Sequence, residues 1–256
     1  LIRKAFFPGK IPFPLIHIDT TWKFKEMIAF RDQIVKELDL NLIVHTNPDG
    51  LRDKVNPINW SSSDYIYIMK TVALKQVLDR HDIQVAIGGA RRDEEKSRAK
   101  EKIFSIRNAD HTWDPKNQRP EFWDNYNTLI TENQKLRVFP LSNWTELDIW
   151  KYIQQEEIPL VPLYFSKKRP VIKEENKIIL VDDDRLPINE KKVEYLDIRF
   201  RTLGCYPLTQ AIESKALTVS DIIQEIIEDK YSERHGRMVD HDADSGLEKK
   251  KKEGYF

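Results

Sequence analysis

The chain has 256 residues, 40% of them hydrophobic and 33% charged, with Lys+Arg and Asp+Glu balanced at 42 each. This suits one α/β domain with an extension, or two small domains, and excludes a global field favouring nucleic acid, so any anion site must be local. A single cysteine, Cys205, excludes an internal disulfide framework and suits a reducing compartment, and no run approaches the roughly 20 apolar residues of a membrane span.

Residues 1–10, LIRKAFFPGK, read as the tail of a helix ending near Pro8 and Gly9, with no signal-peptide pattern and no initiator Met. The chain is therefore expected to begin inside an element whose earlier part precedes Leu1. Residues 11–20, IPFPLIHIDT, read as a buried strand with Asp19 and Thr20 at its carboxyl end, where ligands sit in open α/β sheets. Asp19 fits equally as the N-cap of the following helix. That helix is expected over 22–38, from the stripe Met27, Ile28, Phe30, Ile34, Val35 and Leu38. NLIVH at 41–45 completes a βαβ unit. A polar loop at 46–64 leads to a second helix over 65–78.

Residues 85–102, VAIGGARRDEEKSRAKEK, pass from an apolar strand through Gly88 and Gly89 into a charged run. The pattern reads as strand, turn and helix, a geometry that aims backbone N–H groups at an anion. Neither glycine puts a Cβ in the way of a phosphate. Arg91, Arg92, Lys96, Arg98 and Lys100 offer cations nearby, and Arg grips phosphate or sulfate through two parallel hydrogen bonds. The plain alternative is a solvated helix stabilised by Glu94–Arg98 and Glu95–Arg98 pairs. The stretch 110–126 is a long loop in which Lys116 and Arg119 could reach a substrate phosphate, or which Trp113 and Trp123 simply pin.

Residues 136–141 read as another strand, followed by a helix with Thr145 and Asp148 at capping-box spacing and Leu147, Trp150 and Ile153 facing inward. From Tyr164 the texture changes. A hairpin is expected from 171–172 and 177–181, with a third strand over 193–201. Asp182, Asp183 and Asp184 read as a solvated turn rather than a metal cluster. Thr218 caps a last helix with Ile222, Ile223, Ile226 and Ile227 inside. The tail from Arg234 holds Asp240, His241, Asp242 and Asp244, read as a mobile or docked tail rather than metal ligands. The division expected is a nucleotide-binding α/β domain over 1–163 and a C-terminal extension over 164–256. No metal site is assigned.

Five separated blocks carry a resemblance: HIDTTWKFKEMIAFRD (17–32), GGARRDEEKSRAKE (88–101), WDPKNQRPEFW (113–123), FPLSNWTELDIWKYI (139–153) and RFRTLGCYPLT (199–209). In that order they resemble the small-subunit family of bacterial heterodimeric ATP sulfurylases. That family lies in the PAPS reductase-like branch of the PP-loop adenine nucleotide α-hydrolase fold. The resemblance covers essentially the whole chain. It implies a parallel twisted sheet with helices on both faces plus a C-terminal α+β extension, and a cytoplasmic enzyme without membrane or nucleic-acid partners.

It further implies adenylyl transfer from ATP to sulfate, with Mg²⁺ on the phosphates and a GTPase large subunit as partner. Carried onto this chain, Arg91, Arg92, Lys96 and Arg98 become the catalytic phosphate- or sulfate-binding set. Gly88 and Gly89 shape the turn, Asp19 and Thr20 lie near the adenosine, and Lys116 and Arg119 bind substrate. Two departures stand out. The family's Ser-Gly-Gly-x-Asp-Ser loop is absent from these residues and is expected just before Leu1. Related enzymes often carry Gly where this chain has Thr21. A PAPS or APS reductase would need a reactive cysteine in a C-terminal Glu-Cys-Gly-x-His segment, whereas Cys205 stands in LGCYP and reads as a buried small residue. A non-catalytic module that docks the GTPase is the other alternative.

Overall fold

The structure is a computed structural model that describes residues 1–94, 96–174, 177–188, 192–228 and 253–254; the side chains of Lys96, Ser97 and Asp124 lie outside that description. The acidic/His group at 240–244 also lies outside it.

A short helix α1 (Ile2–Phe6) precedes β1 (Leu15–Ile18). Helix α2 (Lys25–Glu37) carries the chain to β2 (Leu42–His45), which pairs in parallel with β1, Leu15 opposite Leu42 and Ile18 opposite His45. The βαβ unit is thus present, but Asp19 does not cap its helix. Its Oδ1 accepts from the Thr21 backbone N–H at 2.7 Å, closing a local turn. The N-terminus of α2 is served instead by Asp182, whose Oδ2 accepts from the Lys25 N–H at 2.9 Å. Arg185 donates to Asp183 at 2.6 Å, and the Asp183 side chain is 5% exposed. The acidic run is a turn with Asp184 exposed, as expected, but Asp182 and Asp183 are engaged rather than solvated. A bare helix terminus and a nearby guanidinium recruited its carboxylates.

Helix α3 (Pro48–Arg52) starts at Asn47, which accepts from the Asp49 N–H. Gly50 faces Met69 so closely that a Cβ would collide with the sulfur, so glycine is required there. The helix expected over 65–78 is observed as α4 (Ser62–Ile66), a π-helical turn (Tyr67–Val72) and α5 (Ala73–Arg80) in unbroken succession.

Strand β3 (Val85–Ile87) ends at Gly88. No α-helix follows. The charged run forms two 3₁₀ helices, Arg92–Glu94 and Lys96–Lys100. Next comes β4 (Phe104–Asn108), then β5 (Gln134–Val138), which pairs in parallel with β3 and antiparallel with β4. In the loop between β4 and β5, Trp113 is buried at 3%, but Trp123 is 90% exposed and pins nothing. Gln118 and Glu121 hold the loop instead, accepting from the β4-side N–H groups of Ile106, Ile103 and Phe104 at 2.9–3.2 Å. Helix α6 (Glu146–Gln155) opens with the expected Thr145–Asp148 capping box.

The extension is an antiparallel sheet of β6 (Lys167–Glu174), β7 (Lys177–Leu180), β8 (Val193–Arg199) and β9 (Ile212–Glu213) in the order β7-β6-β8-β9. Helix α7 (Val219–Glu228) packs on α6 through Ile222, Ile223 and Ile226, while Ile227 is 57% exposed, against expectation. Four residues from 222 to 227 span more arc than one buried stripe of a 3.6-residue helix can cover. The architecture is α/β, with two parallel strand pairs and their helices, followed by the antiparallel extension.

The largest core joins the two parts. Trp22 stacks on Tyr206 with ring centroids 5.9 Å apart, and Phe24 meets Phe200 at 4.8 Å and Tyr206 at 5.6 Å. The segment leaving β1 is thereby clamped against the extension. Phe24 has no exposed surface. Phe24→Ala is expected to cost about 3–5 kcal/mol of stability, read from the shift of the urea midpoint at constant m.

Candidate anion-binding site

The segment after β3 runs along the continuation of β5. The Gly88 N–H donates to the Val138 carbonyl at 2.9 Å and the Arg92 N–H to the Ser142 carbonyl at 2.9 Å. Neither Gly88 nor Gly89 has a positive φ. A Cβ on Gly89 would meet only Leu141, at an ordinary 3.9 Å. No protein atom described here demands glycine at position 89.

The arginines that follow point inward and divide into two kinds. Arg91 and Arg98 are 8% and 7% exposed. Both face Glu94: Arg98 Nε lies 3.0 Å from one carboxylate oxygen and Arg91 Nη1 lies 3.8 Å from the other. The Arg91 backbone N–H also donates to Glu94 at 3.2 Å. Arg92 is a staple. Its Nε and Nη2 donate to the Glu101 carbonyl at 3.3 and 3.2 Å, its Nη1 donates to Asn143 Oδ1, and Nη2 lies 3.7 Å from Glu121. The charged run thus meets these partners from two 3₁₀ turns rather than from the expected α-helix.

Beneath lies a charged, buried sheet face. Ser105 is opposite Arg137 and Arg107 is opposite Lys135, so the four share one face of β4–β5. Arg107 and Arg137 have no exposed surface. Arg107 donates to Glu101 at 2.6 Å and to Ser105 at 3.1 Å, and Ser105 in turn donates to Glu101 at 3.1 Å. Arg137 donates to His111 Nδ1 at 3.0 Å, and His111 Nε2 lies 2.9 Å from Asp79, which also pairs with Lys135. Burial, with Arg107 alongside, pushes Arg137 down to about 9. Burial also lowers His111, aided by Arg137 and Lys135 against Asp79, so the imidazole is neutral and its Nε2–H faces the carboxylate.

A second cluster lies at the end of β1. Thr20 is wholly buried, its Oγ1 3.3 Å from Cys205 Sγ, and its carbonyl accepts from Tyr65 OH at 3.1 Å. Lys23 Nζ lies 3.8 Å from the same sulfur. Burial alone would raise the Cys205 thiol, but Lys23 and Lys70 outweigh it and hold it below its ordinary value. Thr21, at φ 65°, occupies the left-handed region that glycine enters without strain. Arg185 donates to the Thr21 carbonyl at 2.9 Å and lies 4.5 Å over the Trp22 ring.

The structure thus brings Arg91 and Arg98 together beyond Gly88 and Gly89, where the expected tight turn does not form because the chain goes on pairing with the end of β5, and it sets Arg92 beside them as support. Lys96 lies on the adjoining 3₁₀ helix. Lys116 is exposed, and Arg119 is tied to its own loop through Asn127 and Leu129. Glu101, Arg107, Arg137, Lys23 and Tyr65 are participants that the sequence reading did not single out, whereas the Glu94–Arg98 pair it named is present at 3.0 Å. A signal existed for Arg107, because Ser105 and Arg107 alternate with Phe104 and Ile106. Among the described residues no group of three or more His, Cys, Asp or Glu is placed to hold a metal ion, and no helix is long and apolar enough to cross a membrane.

A family model described as the phosphoadenosine phosphosulfate reductase domain matches residues 1–211. The chain is 60% identical over 257 residues to the "Sulfate adenylyltransferase subunit 2" of Saccharophagus degradans, covering 100% of this chain and 85% of that one. It is 58% identical over 256 residues to the protein of the same name from a Marinomonas species, and 59% identical over 257 residues to that of Mesorhizobium japonicum, with the same coverages. A crystal structure of phosphoadenylyl-sulfate reductase from Candida auris, a phosphate complex, gives a TM-score of 0.41 at 16% identity over 60% of this chain and 66% of that one.

His17, on β1, yields a pH prediction. Burial, with Lys23 and Arg31 adding to it, pushes its imidazole from the usual 6.5 down to about 4. Its Nε2 is buried without a hydrogen-bond partner. The neutral ring's contribution is present above pH ~6.5 and is lost as pH falls from there towards about 4, because the unfolded chain binds the proton first. Urea unfolding at pH 8 and pH 5 is expected to show a smaller acid loss in His17→Gln than in the parent; equal losses would refute it.

Proposed function

The chain belongs to the phosphoadenosine phosphosulfate reductase domain family and, within it, to the sulfate adenylyltransferase subunit 2 proteins, and from that membership we propose that it transfers the adenylyl group of ATP to sulfate. A sulfate oxygen attacks the α-phosphorus, the bond to the bridging oxygen breaks, and adenosine 5′-phosphosulfate and pyrophosphate result. Two polyanions must approach, so the protein's work is positioning and charge compensation rather than covalent chemistry.

The observation that supports this reading is the convergence of Arg91 and Arg98, both largely buried, just beyond Gly88 and Gly89 at the carboxyl end of a parallel strand. Arg91, Arg98 and Lys96 offset the anions' charge. Gly89 puts no side chain in the way of an oxyanion, while the Gly88 N–H is held by the Val138 carbonyl, and Arg92 holds their segment to Glu101 and Asn143. Asp19 marks the nucleoside side, with Thr20 wholly buried behind it, and of the long loop's two cations the exposed Lys116 approaches the phosphates while Arg119 holds the loop through Asn127 and Leu129. Mg²⁺ is expected to arrive on the nucleotide's phosphates, where it would supply further charge neutralisation; no residue is assigned to it. A large subunit that hydrolyses GTP is the partner, since the mixed anhydride formed is unfavourable and needs coupling. The setting is cytoplasmic.

The test is pyrophosphate release by the full natural chain with its large subunit, with and without sulfate and GTP. Sulfate-dependent, GTP-stimulated release is expected, and nucleotide binding without such release would refute the reading. In the same assay Arg91→Ala is expected to lower turnover about a hundredfold, the usual loss for one transition-state donor, with an unchanged circular dichroism spectrum. Full activity in that variant would remove Arg91 from the site.

A further inference from the structure

The loop between β4 and β5 holds a group of apolar side chains out in water. Phe122, Trp123 and Leu129 are 66%, 90% and 76% exposed, and the rings of the first two lie together with centroids 5.8 Å apart. Single exposed apolar residues are ordinary; a touching aromatic pair with a leucine on the same loop is not. The backbone imposes this presentation. The Phe122 carbonyl accepts from the Asn125 N–H at 3.0 Å and closes a turn that sets Trp123 at φ 52°, a conformation a bulky residue keeps only where its surroundings dictate it. Arg119 donates to the Asn127 and Leu129 carbonyls, and the Tyr126 ring packs on Phe104 of β4 at 5.0 Å. The apolar knob is therefore pre-organised. Its root reaches the candidate site, because Glu121, the residue before Phe122, accepts from the Ile103 and Phe104 N–H groups and stands 3.7 Å from Arg92 Nη2.

We propose that Phe122, Trp123 and Leu129 form the surface on which the large subunit docks, and that Glu121 carries that contact to Arg92. This rests on the adenylyl-transfer reading, which supplies the partner. Extent and composition select a protein surface over a small ligand. A nucleotide base covers one aromatic face, whereas here large side chains spread from 122 to 129, and aromatic anchors of this kind fill pockets at protein interfaces. Asn125, Asn127 and Thr128 are exposed and uncharged among them, as in the polar rim of such an interface. Continuity with the site selects the large subunit over a second copy of this chain. A partner whose reaction drives adenylyl transfer must touch an element joined to the anion site, and one carboxylate joins this loop to Arg92 and to the β4 backbone. Arg92 in turn grips the Glu101 carbonyl and Asn143, so a stem drawn by the partner re-aims the segment that bears Arg91 and Arg98. A second copy would cover the same side chains with no use for that link.

The test is a calorimetric titration of the full natural chain with its purified large subunit, comparing the parent with the double variant Phe122→Ser, Trp123→Ser. Both side chains stand in water, so the thermal midpoint is expected to stay where it is, while Kd rises at least about thirtyfold, the loss of one hot-spot residue. Unchanged affinity would overturn the proposal. Unchanged affinity with self-association lost in sedimentation would give the surface to a second copy instead, and unchanged affinity with weakened ATP binding would give it to the base; each overturns the docking. Glu121→Gln tests the link. It is expected to bind the large subunit as the parent does and to lose the stimulation by GTP of sulfate-dependent pyrophosphate release; full stimulation would overturn that half of the proposal. If this variant melts far below the parent, Glu121→Asp, which keeps the charge but shortens its reach, takes its place with the same expectation. Weakened docking in the double variant, without sulfate-dependent release from the parent complex, would keep the surface and refute the function it rests on. Such release from the parent complex, with undiminished docking in the variant, would do the reverse.

Discussion

A guanidinium taken out of water must keep a counter-charge, and this constraint organises the middle of the molecule. Arg91, Arg98, Arg107 and Arg137 are all buried around β4 and β5. Desolvating each one costs several kcal/mol, recovered only where geometry is good. Glu101 does most to satisfy the demand. Its side chain binds Arg107 and Ser105, while its main-chain carbonyl receives two hydrogen bonds from Arg92. One residue thus ties the segment after Gly88 and Gly89 to the sheet below.

The same logic extends from charge to shape at β1. The chain leaving that strand is fixed by aromatic packing on the extension, and Cys205 lies within it against Thr20 and Lys23. Cys205 is 6% exposed and enclosed by these neighbours, which suits a thiol that orders Thr20 rather than one that attacks substrate. The extension is therefore part of how the strand end is held. Asp182 reaching the first N–H of α2 and Arg185 holding the Thr21 carbonyl make the same point from the other side.

Much of this was legible from the residues alone. The βαβ unit, the parallel strand before Gly88 and Gly89, the capping box of α6 and the hairpin of the extension all follow from periodicity and cap chemistry. What was not legible has physical reasons. Strand β4 alternates as a strand should, but its polar face is buried, against the usual rule that polar means exposed. Charge runs read as solvated because most are; here tertiary partners far along the chain (Asn143 for Arg92, Lys25 for Asp182) changed the outcome. Nothing in GGARRDEEKSRAKE distinguishes an arginine that staples a loop from one that faces a ligand. That distinction is made by which acceptors the fold brings within 3.5 Å.

Position 254 extends the argument. Gly254 is buried with φ 98°, and a Cβ there would collide with Lys75 Cε and come within 3.3 Å of His111 Cβ. Glycine is demanded twice, by the backbone angle and by the close approach. The residue it presses upon, His111, is the one that receives Arg137 and faces Asp79 on α5. The neutral imidazole is what allows Arg137 to donate inward, and water reaching that ring would ease its protonation and set two buried cations against each other. The covering contact at Gly254 therefore belongs to the same electrostatic arrangement as Glu101. The buried arginine face is closed near Arg107 by an internal carboxylate, and near Arg137 by a histidine kept dry and neutral beneath a residue 143 positions further along the chain.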